Sequence, residues 1–161
     1  MKEQRRYPLE ALLEQRRQLQ KEAQKMLARA VERTVSCVEQ VRLAGDELKR
    51  WRKKMTATRE KRSVYFGRPR AYELSMLTAC EQRIDEQIAQ AQQTLETKKR
   101  KLAAAEKEQD EAREVLENAH RNLEVVRKHH GRWKEEKKRA REKVQEEAAA
   151  EIVESRMGRH T

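Results

Sequence analysis

Apolar residues return along the first sixty positions at alternating steps of four and three. The series runs Leu9, Leu13, Arg16, Gln20, Ala23, Leu27, Ala30, Thr34, Cys37, Val41, Ala44, Leu48, Trp51, Met55 and Thr58. A period of 3.5 is the seam of a coiled-coil helix, with polar residues at some of its layers. Leu12, Leu19, Met26, Val31, Val35 and Val38 widen the stripe and offer a face to a further helix or a partner. A second seam starts at Leu74 and passes through Leu77, Glu81, Ile84, Ile88, Ala91, Leu95, Lys98, Leu102, Ala105, Gln109, Ala112, Leu116, Ala119, Leu123, Val126, His130, Trp133, Lys137, Ala140 and Val144.

Between the seams lies Ser63-Val64-Tyr65-Phe66-Gly67-Arg68-Pro69-Arg70, the one interior stretch where glycine and proline stand together. Gly67 is free to take the positive φ that closes a turn. Pro69 suits a helix's first turn and is excluded from a helix interior. The pattern therefore predicts an all-α fold, a long two-helix antiparallel coiled-coil hairpin with a C-terminal helical overhang. It is read as one elongated domain over 1–161, with a first helix at about 8–62, a tip loop at about 63–68 and a second helix at about 69–156. Pro8 is expected to start the first helix, with Glu10 in its first turn where the helix dipole favours a carboxylate.

Folding the arms about Phe66 sets Leu13 against Ala119, Leu27 against Ala105, Ala30 against Leu102 and Leu48 against Ile84. Leu9 then faces Leu123, Cys37 faces Leu95, and Thr34 faces Lys98. Most layers pair a large side chain with a small one, which lets two helices approach without voids. A shift by a whole heptad keeps the same phase, so the pattern alone leaves that choice open. The first arm is about 80 Å long and the second about 120 Å or more, at 1.5 Å per residue. Beyond about Val126 the second arm is expected to lack an intramolecular partner. Gly131 falls at that junction, with two readings: a weak point, or a helix glycine tolerated at a cost of about 1 kcal/mol. Gly158 lies where a helix would stop.

Composition narrows the function classes. Of 161 residues, 42% are charged and 4% aromatic, a balance suited to long helices rather than an enclosed globular core. Two paired helices leave no room for a catalytic pocket, so no enzymatic activity and no cofactor are expected. None of His120, His129, His130 and His160 has the i, i+4 histidine partner of a helical metal site. Cys37 and Cys80 lack metal-ligand spacing and are expected to be buried or half-buried thiols. No apolar run reaches the roughly 20 residues that cross a bilayer, and the N-terminus lacks a signal-like apolar segment. The expectation is a cytoplasmic protein without membrane insertion.

The formal net charge of +11 calls for an acidic partner. Residues 49–70 hold ten Lys/Arg against Glu60, and residues 127–143 hold nine against Glu135, Glu136 and Glu142. Each cluster carries a tryptophan, Trp51 or Trp133, and aromatic and arginine side chains together are typical of interaction hot spots. Tyr65, Phe66 and Tyr72 add three aromatics near the turn. They either fold back to cap the seam or stand ready for a partner. Met76, Cys80, Arg83 and Gln87 form a further stripe beside the seam.

Two segments carry a family resemblance. Arg6-Tyr7-Pro8-Leu9-Glu10-Ala11-Leu12-Leu13 resembles the opening of the YscO-type proteins of type III secretion, whose flagellar counterpart is FliJ. His130-Gly131-Arg132-Trp133-Lys134-Glu135-Glu136 is similar to the injectisome branch of that family. The resemblance implies the central stalk of a secretion export ATPase complex, similar to the coiled coil of a rotary ATPase γ subunit. It implies three partners: a hexameric secretion ATPase that the open end enters, the cytoplasmic domain of an export-gate membrane protein at the other end, and secretion chaperones. Residues expected to face the ATPase are Tyr7, Leu12, Arg127, Arg132, Trp133, Lys137 and Arg141. Those expected to face the gate are Trp51, Arg52, Tyr65, Phe66, Tyr72, Met76 and Cys80. The protein is expected to be a monomer alone, placed at the inner-membrane secretion apparatus, with no nucleic-acid partner. The competing readings are a generic basic coiled-coil adaptor and a nonspecific nucleic-acid binder, whose phosphate contacts would be strongly salt-dependent.

Overall fold

The computed structural model describes residues 6–64 and 70–158. It consists of two helices, α1 (Glu10–Val64) and α2 (Ala71–Met157). Tyr7 to Leu9 form the turn that opens α1, where the Glu10 amide donates to the Tyr7 carbonyl at 3.1 Å. Pro8 thus precedes the helix rather than beginning it. Gly67 and Pro69, the residues of the expected turn, lie outside the described residues. At the other terminus the Gly158 amide donates to the Glu154 carbonyl at 3.0 Å, and the helix stops there as the glycine suggested. No described helix is long and apolar enough to cross a membrane.

The described chain divides into two compact units. The first contains 1–25 and 114–161. Its core is Leu13, Leu123 and Val126, with Leu12 packed against them. Leu13 and Leu123 are 1% and 0% exposed. Nearby, Gln20 Nε2 and His120 Nδ1 lie 3.0 Å apart across the two helices.

The second unit contains 26–113. Its buried residues are Ala30, Ala44, Leu48, Met55, Ile84, Ala91, Ala105 and Ala112. Five of these eight are alanine, so the two backbones must come close before the seam excludes water. That approach lets the Thr34 hydroxyl, bonded to its own helix at Ala30 O, also reach the Ala105 carbonyl on α2 at 3.3 Å. Lys98 Nζ donates to Gln40 Oε1 at 3.0 Å, and Arg33 pairs with Glu108 at 3.1 Å. In both units, cross-helix partners fall in number on one helix as they rise on the other, so the pairing is antiparallel.

The heptad phase holds, but the register is displaced by about one heptad. Thr34 meets Ala105 instead of Lys98. Leu13 packs with Leu123 and Val126 instead of Ala119. Gln20 meets His120 instead of Ala112. The periodicity repeats every seven residues and cannot distinguish these alternatives; the layers that resolve them are cross-helix polar contacts. Leu9, expected in the seam, lies instead in the turn before α1, where no helical phase holds it, and its side chain is exposed.

Intramolecular pairing extends past Val126, because His130 and Trp133 pack on Tyr7 from the turn before α1. From Lys138 to Gly158 every residue is exposed, so the unpaired overhang starts about three turns later than the seam length suggested. The flanking residues Leu19, Met26, Val31, Val35 and Val38 are exposed. Cys37 is half-buried, whereas Cys80 is exposed, contrary to expectation. It sits beside the seam, where two helices do not cover it.

Helix α2 passes through Gly131 without interruption, and a Cβ built there meets nothing within 4 Å. Of the two readings, the tolerated helix glycine fits. Gly131→Ala is expected to stabilise local helix by about 0.5–1 kcal/mol. Slower amide exchange around residue 131 checks this; faster exchange would restore the weak-point reading.

Candidate interaction sites

The first unit contains a clasp of four aromatic rings. The turn at Tyr7 to Leu9 sends the Tyr7 side chain onto α2, where it is 3% exposed. His130 and Trp133, three residues apart, share one face of α2. The Tyr7 ring lies 4.4 Å from the His130 ring and meets Trp133 edge to face at 5.2 Å. Its hydroxyl bonds His129 Nδ1 at 2.6 Å. One turn on, the Lys137 ammonium sits over the Trp133 ring at 4.2 Å. Such edge-to-face and cation–π contacts add to the burial of the rings.

Beside the clasp runs an open groove of about 570 Å³, lined by Tyr7, His130 and Trp133 and by the cations Arg6, Lys134, Lys137, Lys138 and Arg141. Glu10 and Glu142 are the opposing charges in its lining, and Glu142 is held 3.8 Å from Lys138. Aromatic walls with a cationic rim suit a segment that brings carboxylates and an apolar side chain. Among the described residues no group of three or more potential ligands could hold a metal.

Four of the residues expected to face the ATPase meet here: Tyr7, Trp133, Lys137 and Arg141. Leu12 belongs to the Leu13 cluster. Arg127 is exposed and paired with Glu124 at 3.1 Å, and Arg132 is exposed outside the groove lining. His129, Arg6, Lys134 and Lys138 are not among the residues that the sequence sets facing the ATPase, although Lys134 and Lys138 belong to the basic cluster over 127–143. His130 and Trp133 already stood in the seam, so a search for what covers the seam end would have found Tyr7 and its neighbours.

In the second unit, the end of α1 meets the start of α2 through Arg62 and Glu81 at 2.9 Å. Arg62 Nε and Glu81 Oε1 are shielded from solvent and have no hydrogen-bond partner among the described residues. Of the residues expected to face the gate, Trp51 is half-buried under the Lys54 ammonium at 4.1 Å. Arg52, Tyr72, Met76 and Cys80 are exposed. Tyr65 and Phe66 lie outside the described residues. Further along α1, a hydrogen bond from Arg42 holds the Glu39 carboxyl below the usual carboxylate range. Both side chains are exposed, so this pair contributes little; what it contributes is present above the ordinary carboxylate range and lost as pH falls through the depressed value.

No family model matches the chain, and no curated protein matches it. Among solved structures, it resembles that of CT670 from Chlamydia trachomatis, described as a candidate YscO homolog. The TM-score is 0.77, and the match covers 97% of this chain and 98% of that one. The fold is YscO-like. At 18% identity the shared property is the fold rather than particular side chains. The YscO-like hairpin brings together the two segments that carried the sequence resemblance, since Tyr7 of the first packs on His130 and Trp133 of the second.

Proposed function

We propose that this chain is a non-enzymatic central stalk of a type III secretion export ATPase complex, of the injectisome rather than the flagellar branch. The observation that carries the reading is the YscO-like fold over nearly the whole chain. The juxtaposition of Tyr7 with His130 and Trp133 supports it, because it gives a structural purpose to both family-like segments. In this reading the Tyr7–Trp133 clasp, its cationic groove and the exposed end of α2 enter the ATPase hexamer. Arg6, Lys134, Lys138 and Arg141 then face acidic side chains, and electrostatic steering speeds docking. Trp51, Arg52, Tyr72, Met76 and Cys80, with Tyr65 and Phe66, face the cytoplasmic domain of the export gate. The exposed apolar row Val31, Val35 and Val38 suits a secretion chaperone. The protein works in the cytoplasm, against the inner-membrane apparatus.

The test is ATP hydrolysis by the cognate export ATPase with and without this chain, at two salt concentrations. Stimulation near one chain per hexamer is expected, weaker at the higher salt because exposed charges are screened beyond about 8 Å near physiological ionic strength. Lys134→Glu with Lys138→Glu is expected to lower the stimulation at least about tenfold by reversing the groove's charge. Unchanged hydrolysis together with no co-sedimentation would overturn the stalk reading.

A further inference from the structure

Beyond the groove, α2 reverses its charge along its own length. Residues 134–143 carry six Lys/Arg against three Glu, a net of +3, whereas residues 144–158 carry four Glu against Arg156, a net of −3. From Lys138 to Gly158 every residue is exposed. Among the described residues the ion pair within this stretch is Lys138 with Glu142; Glu146, Glu147, Glu151 and Glu154 form none. Val144, Ile152, Val153 and Met157 are each more than half exposed. A lone helix draws little stability from propensity, so exposed apolar side chains on it favour a covering surface.

We propose that the end of α2 pairs antiparallel with the same stretch of a second copy, so that the groove beside Tyr7 and Trp133 of each copy receives the acidic segment Glu146 to Glu154 of the other. Three considerations favour that occupant. First, the charge order is self-complementary. A two-fold axis near Val144 lays residues 134–143 of one copy along 145–154 of its partner, basic against acidic, at both ends of the contact at once. A parallel pair would set like charges together. Val144 meets its own copy at the axis, and Val153 and Met157 arrive at the aromatic wall of the groove, which suits carboxylates accompanied by apolar side chains. Second, the chain cannot fill its own groove. Helix α2 runs unbroken to Met157, and no described residue has a positive φ at which it could double back. Third, the stalk reading gives the groove cations an acidic counterpart but leaves the distal carboxylates, on the same helix, without one. Nucleic acid would do the same. A second copy supplies both signs.

The seams alone lead to a monomer, and the charge order of the overhang is what adds a dimer. The test is sedimentation equilibrium of the full chain by itself, from about 10 to 300 µM, where contacts near the lower size limit associate. A monomer–dimer equilibrium is expected, at least about threefold weaker when salt rises from about 0.05 to 0.5 M, because exposed charges are then screened. Glu147→Lys with Glu151→Lys sets cations against the groove and should weaken the dimer at least about tenfold. Lys134→Glu with Lys138→Glu sets carboxylates against the acidic segment and should weaken it as much. An equimolar mixture of the two variants restores opposite signs at both ends of the contact and should recover the dimer. All four positions are exposed, and unaltered helicity by circular dichroism confirms folding. A chain that stays monomeric throughout overturns the proposal. So do variants that each dimerise like the parent, which would move the contact to another face or make it parallel, and so does a mixture that stays monomeric. The stalk reading is measured separately, by hydrolysis with the ATPase present, and either result can fail without the other.

Discussion

Replacing Leu123 with alanine is expected to destabilise the first unit by about 2–5 kcal/mol. Leu123 is fully buried, and Leu13 opposite it is nearly so. The core they share with Val126 is small, so neighbouring side chains have little freedom to refill the space. Leu13→Ala should cost a similar amount. The pair also tests the register. In the observed pairing the two leucines are in one cluster, and a double-mutant cycle should give a coupling of about 0.5 kcal/mol or more. Urea unfolding followed by circular dichroism measures each term. Strictly additive losses would mean that Leu13 faces something else, as the Phe66-centred register would have it. Ala119→Gly is the contrasting substitution: it removes one methyl from a half-buried site, so it should cost no more than about 1 kcal/mol of helix propensity.

Tyr7→Ala is the second large effect, and its character differs. Tyr7 is buried against three rings of α2 although it precedes the first residue of α1. Removal of a buried aromatic side chain costs about 3–5 kcal/mol in a closed core. Here the chain can respond locally, by releasing the opening turn from α2 while the Leu13 cluster stays packed. The expected result is amide exchange at least about tenfold faster in the first turns of α1, with global unfolding less affected. Emission from Trp133, read in a Trp51→Phe background, should shift to the red as the ring meets water. Tyr7→Phe keeps the stack and removes only the hydroxyl bonded to His129, at a cost of about 1 kcal/mol. The same two variants bear on function. If the clasp shapes the groove, Tyr7→Ala lowers ATPase stimulation while Tyr7→Phe largely keeps it. Unaltered Trp133 emission and unaltered exchange in Tyr7→Ala would remove the clasp as a structural element.

The two sites are legible in the sequence to different degrees. The seam through His130, Trp133 and Lys137 puts three of the groove's residues on one face by periodicity alone, because a heptad specifies which side of a helix a residue occupies. Tyr7 stands out through the family resemblance, but its burial is not readable, since a residue outside the helical run has no phase to place it. Lys134 and Lys138 belong to the basic cluster over 127–143 that the charge pattern marks for interaction. Charge alone does not say which of its cations share a face with the seam, and Arg6 lies far from it in sequence. They become a site only because the Tyr7 turn puts a wall beside them. In the second unit, exposure of Tyr72 is one of two readings, and the structure selects it. The pairing of Arg62 with Glu81 cannot be foreseen, because Glu81 occupies a seam position, for which the periodicity specifies a face but no partner, and Arg62 lies past the end of the first seam.

What the sequence by itself determined was helix, phase and antiparallel direction of pairing. Sustained 3.5-residue periodicity, scarce glycine and proline, and one interior turn signal allow two helices and little else, and large residues facing small ones favour an antiparallel return. The tertiary structure decided the register, the extent of the overhang and which charges form a groove. The reason is physical: local propensity and periodicity repeat every heptad and are indifferent to a seven-residue slip. Only the specific contacts of Thr34 with Ala105, Gln20 with His120 and Tyr7 with the rings of α2 differ between one register and the next.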